Sequence, residues 1–272
     1  MTKKPDNTFP KASLPLDNLS IDPWAQLKNF TQARIALGRV GSSLPTKEVL
    51  DFGLAHAMAR DAVHLPLDVG ALEQSIQTLN YQTFRVQSRA TDRASYLLRP
   101  DLGRRLHADS LAQLQALPKQ AIDFLIVVGD GLSSLAVSRH VEPLLEAMRA
   151  HIPAAWNLGA VVIASQARVA IADEVAEVLG AKMVVMLIGE RPGLSSPDSL
   201  GVYLTLNPHL GCSDADRNCI SNVRPEGLVY AAAAKKLLWL AKEALRLQVS
   251  GVALKDESDA VQVEVKEAPL LK

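Results

Sequence analysis

The sequence predicts an α/β fold, a parallel sheet flanked by helices, preceded by a mostly helical N-terminal subdomain. Three observations point there. Short apolar runs alternate with amphipathic helical stretches after residue 100; the two strongest runs end in glycine turns; and the first hundred residues show mainly helical spacing. Alternating strands and helices imply parallel pairing through right-handed crossovers.

In chain order, residues 1–21 are polar and Pro-containing and read as a flexible arm. Asp22-Pro23 is a helix start, and Trp24, Leu27, Phe30 and Ala33 recur at helical spacing up to Gly38. A second helix is predicted over Thr46–Arg60 and a weaker third over Ala71–Leu79. Phe84 and Val86 alternate with Arg85 and Gln87 as a short half-buried strand, grouped with the helical subdomain over 22–99.

The second domain is placed at 100–254. It opens with a predicted helix over Asp101–Leu117 and then Phe124–Val128, an apolar run that fits a strand buried on both faces. A helix to about Ala150 follows, then an apolar run at Ala160–Ala164, a helical segment near Asp173–Leu179, and strands at Met183–Ile188 and Val202–Leu206. A long helix over Leu228–Leu247 ends at Ser250-Gly251, and 255–272 reads as a loose charged tail.

Composition excludes several function classes. Twenty-nine basic residues balance 29 acidic ones, so no broad attraction to nucleic acid or to a membrane surface is expected. No run of about 18 apolar residues is present to span a membrane, and Met1–Pro10 lacks a signal-peptide core, so a cytoplasmic protein is expected. Two cysteines, Cys212 and Cys219, do not make a disulfide scaffold and are expected to be reduced.

Ligands of open parallel sheets bind beyond the C-terminal strand ends. Two turns leave such ends, Gly129-Asp130-Gly131-Leu132-Ser133-Ser134 and Gly189-Glu190-Arg191-Pro192-Gly193-Leu194-Ser195-Ser196. Asp130, Ser133, Glu190 and Arg191 are therefore candidate binding residues, against the plainer reading of tight turns with helix caps and surface ion pairs. Ser134 replaces the third glycine of a dinucleotide fingerprint, and no Walker loop or Gly-x-Ser-x-Gly elbow is present. His209, Cys212, Asp214, Asp216 and Cys219 crowd together, but their spacing matches no zinc pattern, and no metal site is assigned. Cys219 reads as either a soft pocket wall or a buried thiol.

Five segments in order resemble the ethanolamine ammonia-lyase light chain. They are Arg34–Gly41, Tyr96–Leu106, Asp130–Ser133, Ile188–Leu194 and Asp216–Asn222. The resemblance implies a Rossmann-like domain and a small subunit that holds adenosylcobalamin against a large, catalytic subunit in a hetero-oligomer. That assembly converts ethanolamine to acetaldehyde and ammonia, in some relatives inside a bacterial microcompartment. It implies cofactor contacts at Val169, Glu190 and Cys219 and no catalytic residue on this chain. No Asp-x-His-x-x-Gly loop occurs to supply a lower cobalt ligand, consistent with the family's base-on binding. The alternatives are a stand-alone Rossmann-type nucleotide-binding enzyme and a non-catalytic assembly protein.

Overall fold

The structure is a computed structural model describing residues 19–20, 22–31 and 33–259. Most of the arm over 1–21, and of the tail over 255–272, lies outside the described residues. The chain divides between Ala57 and Met58 into two units.

In the first unit, β1 (Leu19–Ser20) pairs antiparallel with β2 (Arg39–Val40). The helix predicted from Asp22 to Gly38 is only a 3-10 turn, Ala25–Asn29. Asp22 does accept the Trp24 N–H at 2.9 Å, as a helix start requires. The helix does not propagate because its apolar side chains find no core: Trp24 is 67 % and Phe30 85 % exposed. Thr31 Oγ1 then captures the Ala33 N–H, and Ala36 and Gly38 adopt positive φ, which ends helical geometry. The first long helix, α1, spans Thr46–His64 and so includes the point of division between Ala57 and Met58.

The second unit contains α2 (Val69–Thr78), β3 (Thr83–Gln87), α3 (Arg93–Leu98), α4 (Ala108–Gln115), β4 (Ile122–Gly129), α5 (Ser134–Arg149), β5 (Val161–Ser165) and α6 (Ile171–Leu179). It continues with β6 (Ala181–Gly189), β7 (Leu200–Leu206), β8 (Arg217–Val223) and α7 (Tyr230–Leu247). Six strands form one sheet in the order β3-β5-β4-β6-β7-β8. β3, β5, β4 and β6 are mutually parallel.

Three differences from the sequence expectations matter for the site. β7 and β8 run antiparallel, because the connection from Gly189 to Leu200 contains no helix to carry the chain back across the sheet. The strand β8 was not predicted: only Arg217, Ile220 and Val223 are buried in it, so it shows no apolar run. The strand grouped with the N-terminal subdomain, β3, is an edge strand of the main sheet.

The helix predicted over Asp101–Leu117 is also interrupted, as a 3-10 turn at Leu102–Arg104 followed by α4. Glu174 pulls the chain out of helical form between them, accepting from the Leu106 N–H at 2.7 Å and pairing with Arg105 at 3.1 Å.

The predicted double burial of the central strands is observed. Along β4, Phe124, Ile126 and Val128 face a core built with α5 and α7, while Leu125 and Val127 face a second core built with α4 and α6. Each fully buried aliphatic side chain contributes about 1.5–3 kcal/mol.

Candidate functional site

β4 and β6 are neighbours and parallel, with Gly129 beside Ile188, so both glycine turns leave the same rim of the sheet. They touch through backbone: the Leu132 N–H donates to Gly189 O at 2.9 Å. A Cβ on Gly131, whose φ is +60°, would meet Gly189 O at 2.2 Å, and one on Gly189 would meet Ser133 O at 2.0 Å. Only glycine permits that approach.

The two turns point their carboxylates in different directions. Asp130 is 4 % exposed. Its Oδ1 accepts from the Gly131 and Ala167 N–H groups and its Oδ2 from Gln166 N–H, each at 2.9 Å. Arg93 lies 3.7 Å from Oδ2. Burial pushes the Asp130 carboxyl upward, opposed by those N–H groups and by Arg93. Asp130 therefore fixes the loop that carries Val169.

Ser133 is also fully buried. Its Oγ donates to Pro197 O at 2.8 Å and accepts the Ala136 N–H at 3.2 Å, as the N-cap of α5. The polar atoms of Asp130 and Ser133, both expected to touch a ligand, are used in hydrogen bonds within the chain.

Glu190 turns the other way. It is half-buried at the end of β6 and lies across Gly201 of β7. Its Oε2 accepts from Ser199 Oγ and from the Asn222 N–H at 3.3 Å, while Oε1 accepts no hydrogen bond among the described residues. Beyond Gly201 on the same strand face is Tyr203, which pairs in register with Cys219 on β8.

On this side of the sheet α6 packs over β4 and β6, while α7 covers β8 from the opposite face. Cys219, Ser221 and Asn222 are exposed and Tyr203 is half-buried, although all but Asn222 lie in the body of their strands. The result is a bare shelf beside the rim. Desolvation raises the Tyr203 phenol and the Cys219 thiol above their ordinary values, so both are neutral at pH 7. Cys219 is exposed even so.

Val169 is half-buried in the loop before α6 and packs against the same core cluster as Tyr203. That loop is stiffened by Tyr96, whose hydroxyl donates to Ala167 O at 3.1 Å, with Arg168 stacked on its ring at 4.2 Å. Arg191 is exposed on the solvent side of Glu190 and forms no ion pair among the described residues. The sheet thus gathers Glu190 and Cys219 on one face, with Val169 on the same side and Arg191 at the border.

A family model described as Ethanolamine ammonia-lyase light chain (EutC) matches residues 21–255. The chain belongs to the ethanolamine ammonia-lyase light chain family. It is 53 % identical to the ethanolamine ammonia-lyase small subunit of Azotobacter vinelandii, over 89 % of this chain and 92 % of that one. It is 55 % identical to that of Pseudomonas fluorescens strain Pf0-1, over 89 % and 90 %. It is 54 % identical to that of Ralstonia nicotianae, over 89 % and 92 %.

Four shelf residues of this light chain went unmarked in the sequence: Ser199, Gly201, Tyr203 and Asn222. The signal was present in Gly201-Val202-Tyr203-Leu204-Thr205, a period-2 pattern that places Gly201 and Tyr203 on one face. A second missed feature underlies the shelf. Arg217 opens β8 with its guanidinium buried against Asp173, in the first turn of α6. It also donates to Cys212 O at 3.0 Å and pairs with Asp214 at 3.0 Å. The crowded acids and thiol of 209–216 are thereby used as loop structure: His209 Nδ1 lies 3.5 Å from Cys212 Sγ, and Asp216 closes a capping box with Ser213.

Proposed function

We propose that this light chain holds adenosylcobalamin, base-on, against the large subunit of ethanolamine ammonia-lyase, and that the assembly converts ethanolamine to acetaldehyde and ammonia. The observation that carries the proposal is Glu190 Oε1, which among the described residues is an unused acceptor on a strand face that no helix covers. The donor set fits the cofactor. A corrinoid presents amide N–H donors around a broad apolar ring, which match a free carboxylate oxygen beside neutral Tyr203 and Cys219. Gly201 removes the side chain that would otherwise stand between Glu190 and Tyr203.

In this reading Glu190 accepts from a corrinoid amide, with Ser199 and the Asn222 N–H setting its direction. Val169 and Cys219 give apolar and soft contact, and Arg191 faces either a phosphate or an acid of the partner. Asp130 and Ser133 act one step removed, by holding the Val169 loop and the Glu190 loop. Adenosylcobalamin supplies the radical chemistry when bound, so this chain contributes shape and orientation, and its purified form alone is inactive on ethanolamine. No helix among the described residues is long and apolar enough to cross a membrane. A place inside a bacterial microcompartment, addressed by the N-terminal arm, belongs to the same proposal.

The test is co-expression with a candidate large subunit and titration with adenosylcobalamin. Activity is expected only when both subunits and the cofactor are present. Glu190→Ala is expected to raise the cofactor Kd about fivefold, equivalent to about 1 kcal/mol for one hydrogen bond to a neutral amide. Activity of the isolated chain would refute the division of labour.

A further inference from the structure

The loop from Glu190 to Ser199 is closed at its base by Glu190 N–H donating to Ser199 O at 2.9 Å, and tightened within by Gly193 N–H donating to Ser196 O at 3.0 Å. Its side-chain anchorage comes from α5. Ser133 holds Pro197 O, Arg139 reaches Asp198 at 2.8 Å, and His140 Nε2 faces the same Asp198 oxygen at 3.5 Å.

The two cations are not equivalent. Arg139 is 56 % exposed, so its pair with Asp198 contributes little. The His140 ring is buried among the apolar residues of α5, and Nε2 has no hydrogen-bond partner among the described residues. Its Nδ1 lies 2.8 Å from the hydroxyl of Tyr230 at the start of α7. With Tyr230 donating to Nδ1, the neutral ring carries its proton on Nε2, the nitrogen 3.5 Å from Asp198 Oδ2. A polar ring at a core position of α5 costs desolvation that an apolar residue would avoid. Its position beneath the loop supplies the reason for it. Asp198 is followed by Ser199, the residue that donates to Glu190.

We infer that His140, braced by Tyr230 and acting through Asp198, is a positioning residue that sets the attitude of Glu190 toward the cofactor. The inference rests on the cofactor reading above. His140 touches no ligand; it acts through the loop.

Two measurements test it on the full chain and its complex with the large subunit. His140→Phe keeps the ring and removes both polar contacts. It is expected to speed amide hydrogen exchange across 190–199 in the chain alone, with exchange in the β4 and β6 strands unchanged. In the complex it is expected to raise the adenosylcobalamin Kd about fivefold, as Glu190→Ala does, leaving kcat at saturating cofactor unchanged. The double variant His140→Phe/Glu190→Ala is expected to bind no more weakly than Glu190→Ala alone. Tyr230→Phe, which leaves the α5 core intact, gives a smaller shift of the same kind and serves if His140→Phe does not fold.

Unchanged exchange at 190–199 overturns the inference. So does an unchanged Kd for His140→Phe and Tyr230→Phe beside a weakened Glu190→Ala. If Glu190→Ala itself binds normally, the cofactor reading falls and this inference with it, a result distinct from either failure alone.

Discussion

The two glycine turns look alike in sequence and use their carboxylates differently. Each leaves a parallel strand, and each sets a carboxylate after a glycine and a Leu-Ser-Ser further on. Asp130 is short and sits between two strands that both continue the parallel sheet, so the β5 loop lies within reach and saturates it with N–H groups. Glu190 is one methylene longer and sits where the sheet turns antiparallel, so its neighbours are the bare strands β7 and β8. A carboxylate at a strand end is saturated or left with an open acceptor according to what the next strand brings to it.

That contrast can be broken at either end. The largest effect is expected from Asp130→Ala, which strands the N–H groups of Gly131, Gln166 and Ala167 together with Arg93. A loss on the order of 3 kcal/mol is expected in denaturant unfolding, while Glu190→Ala stays within about 0.5 kcal/mol of the parent. Equal losses in the two variants would erase the distinction.

Next comes Gly201→Ala. The added Cβ would stand 3.0 Å from Glu190 Cγ and Oε1, so the flexible side chain must move aside. Cofactor affinity is expected to fall several-fold, on the order of one hydrogen bond, with unfolding stability nearly kept.

A pH titration sharpens the comparison at the Glu190 loop. Burial holds His140 below its ordinary value of 6.5, with Asp198 pulling it upward and Arg139 downward. The folded chain then binds that proton more weakly than the unfolded chain. Its contribution to stability is complete above about pH 6.5 and is lost as the pH falls through the lower folded value. His140→Phe is expected to flatten this part of a stability–pH curve, and an unchanged slope would count against it. The smallest effect is expected for Cys219→Ser, within about 0.5 kcal/mol in stability, since the side chain is exposed in the free chain.

Much of this was legible before any coordinates. The apolar runs of β4 and β6 were long enough, and buried on both faces, so their strands and the common rim of their turns followed from pattern alone. The direction of Asp130 did not follow, because it depends on Gln166 and Ala167, which are far away in the chain and adjacent only through sheet order. β8 escaped because a strand covered on one side alternates too weakly with Arg217, Asn218, Cys219 and Ser221 in it. The helix expected after Asp22 failed for the opposite reason: the spacing was right and the core to bury it was missing.

The buried pairing of Arg217 with Asp173 has a mechanical consequence. It rivets the first residue of β8 to the first turn of α6, so the spacing of these two elements is set by an internal tie. Removing either partner would leave a stranded charge costing about 3–5 kcal/mol, so β8 and α6 hold together as one frame behind the shelf.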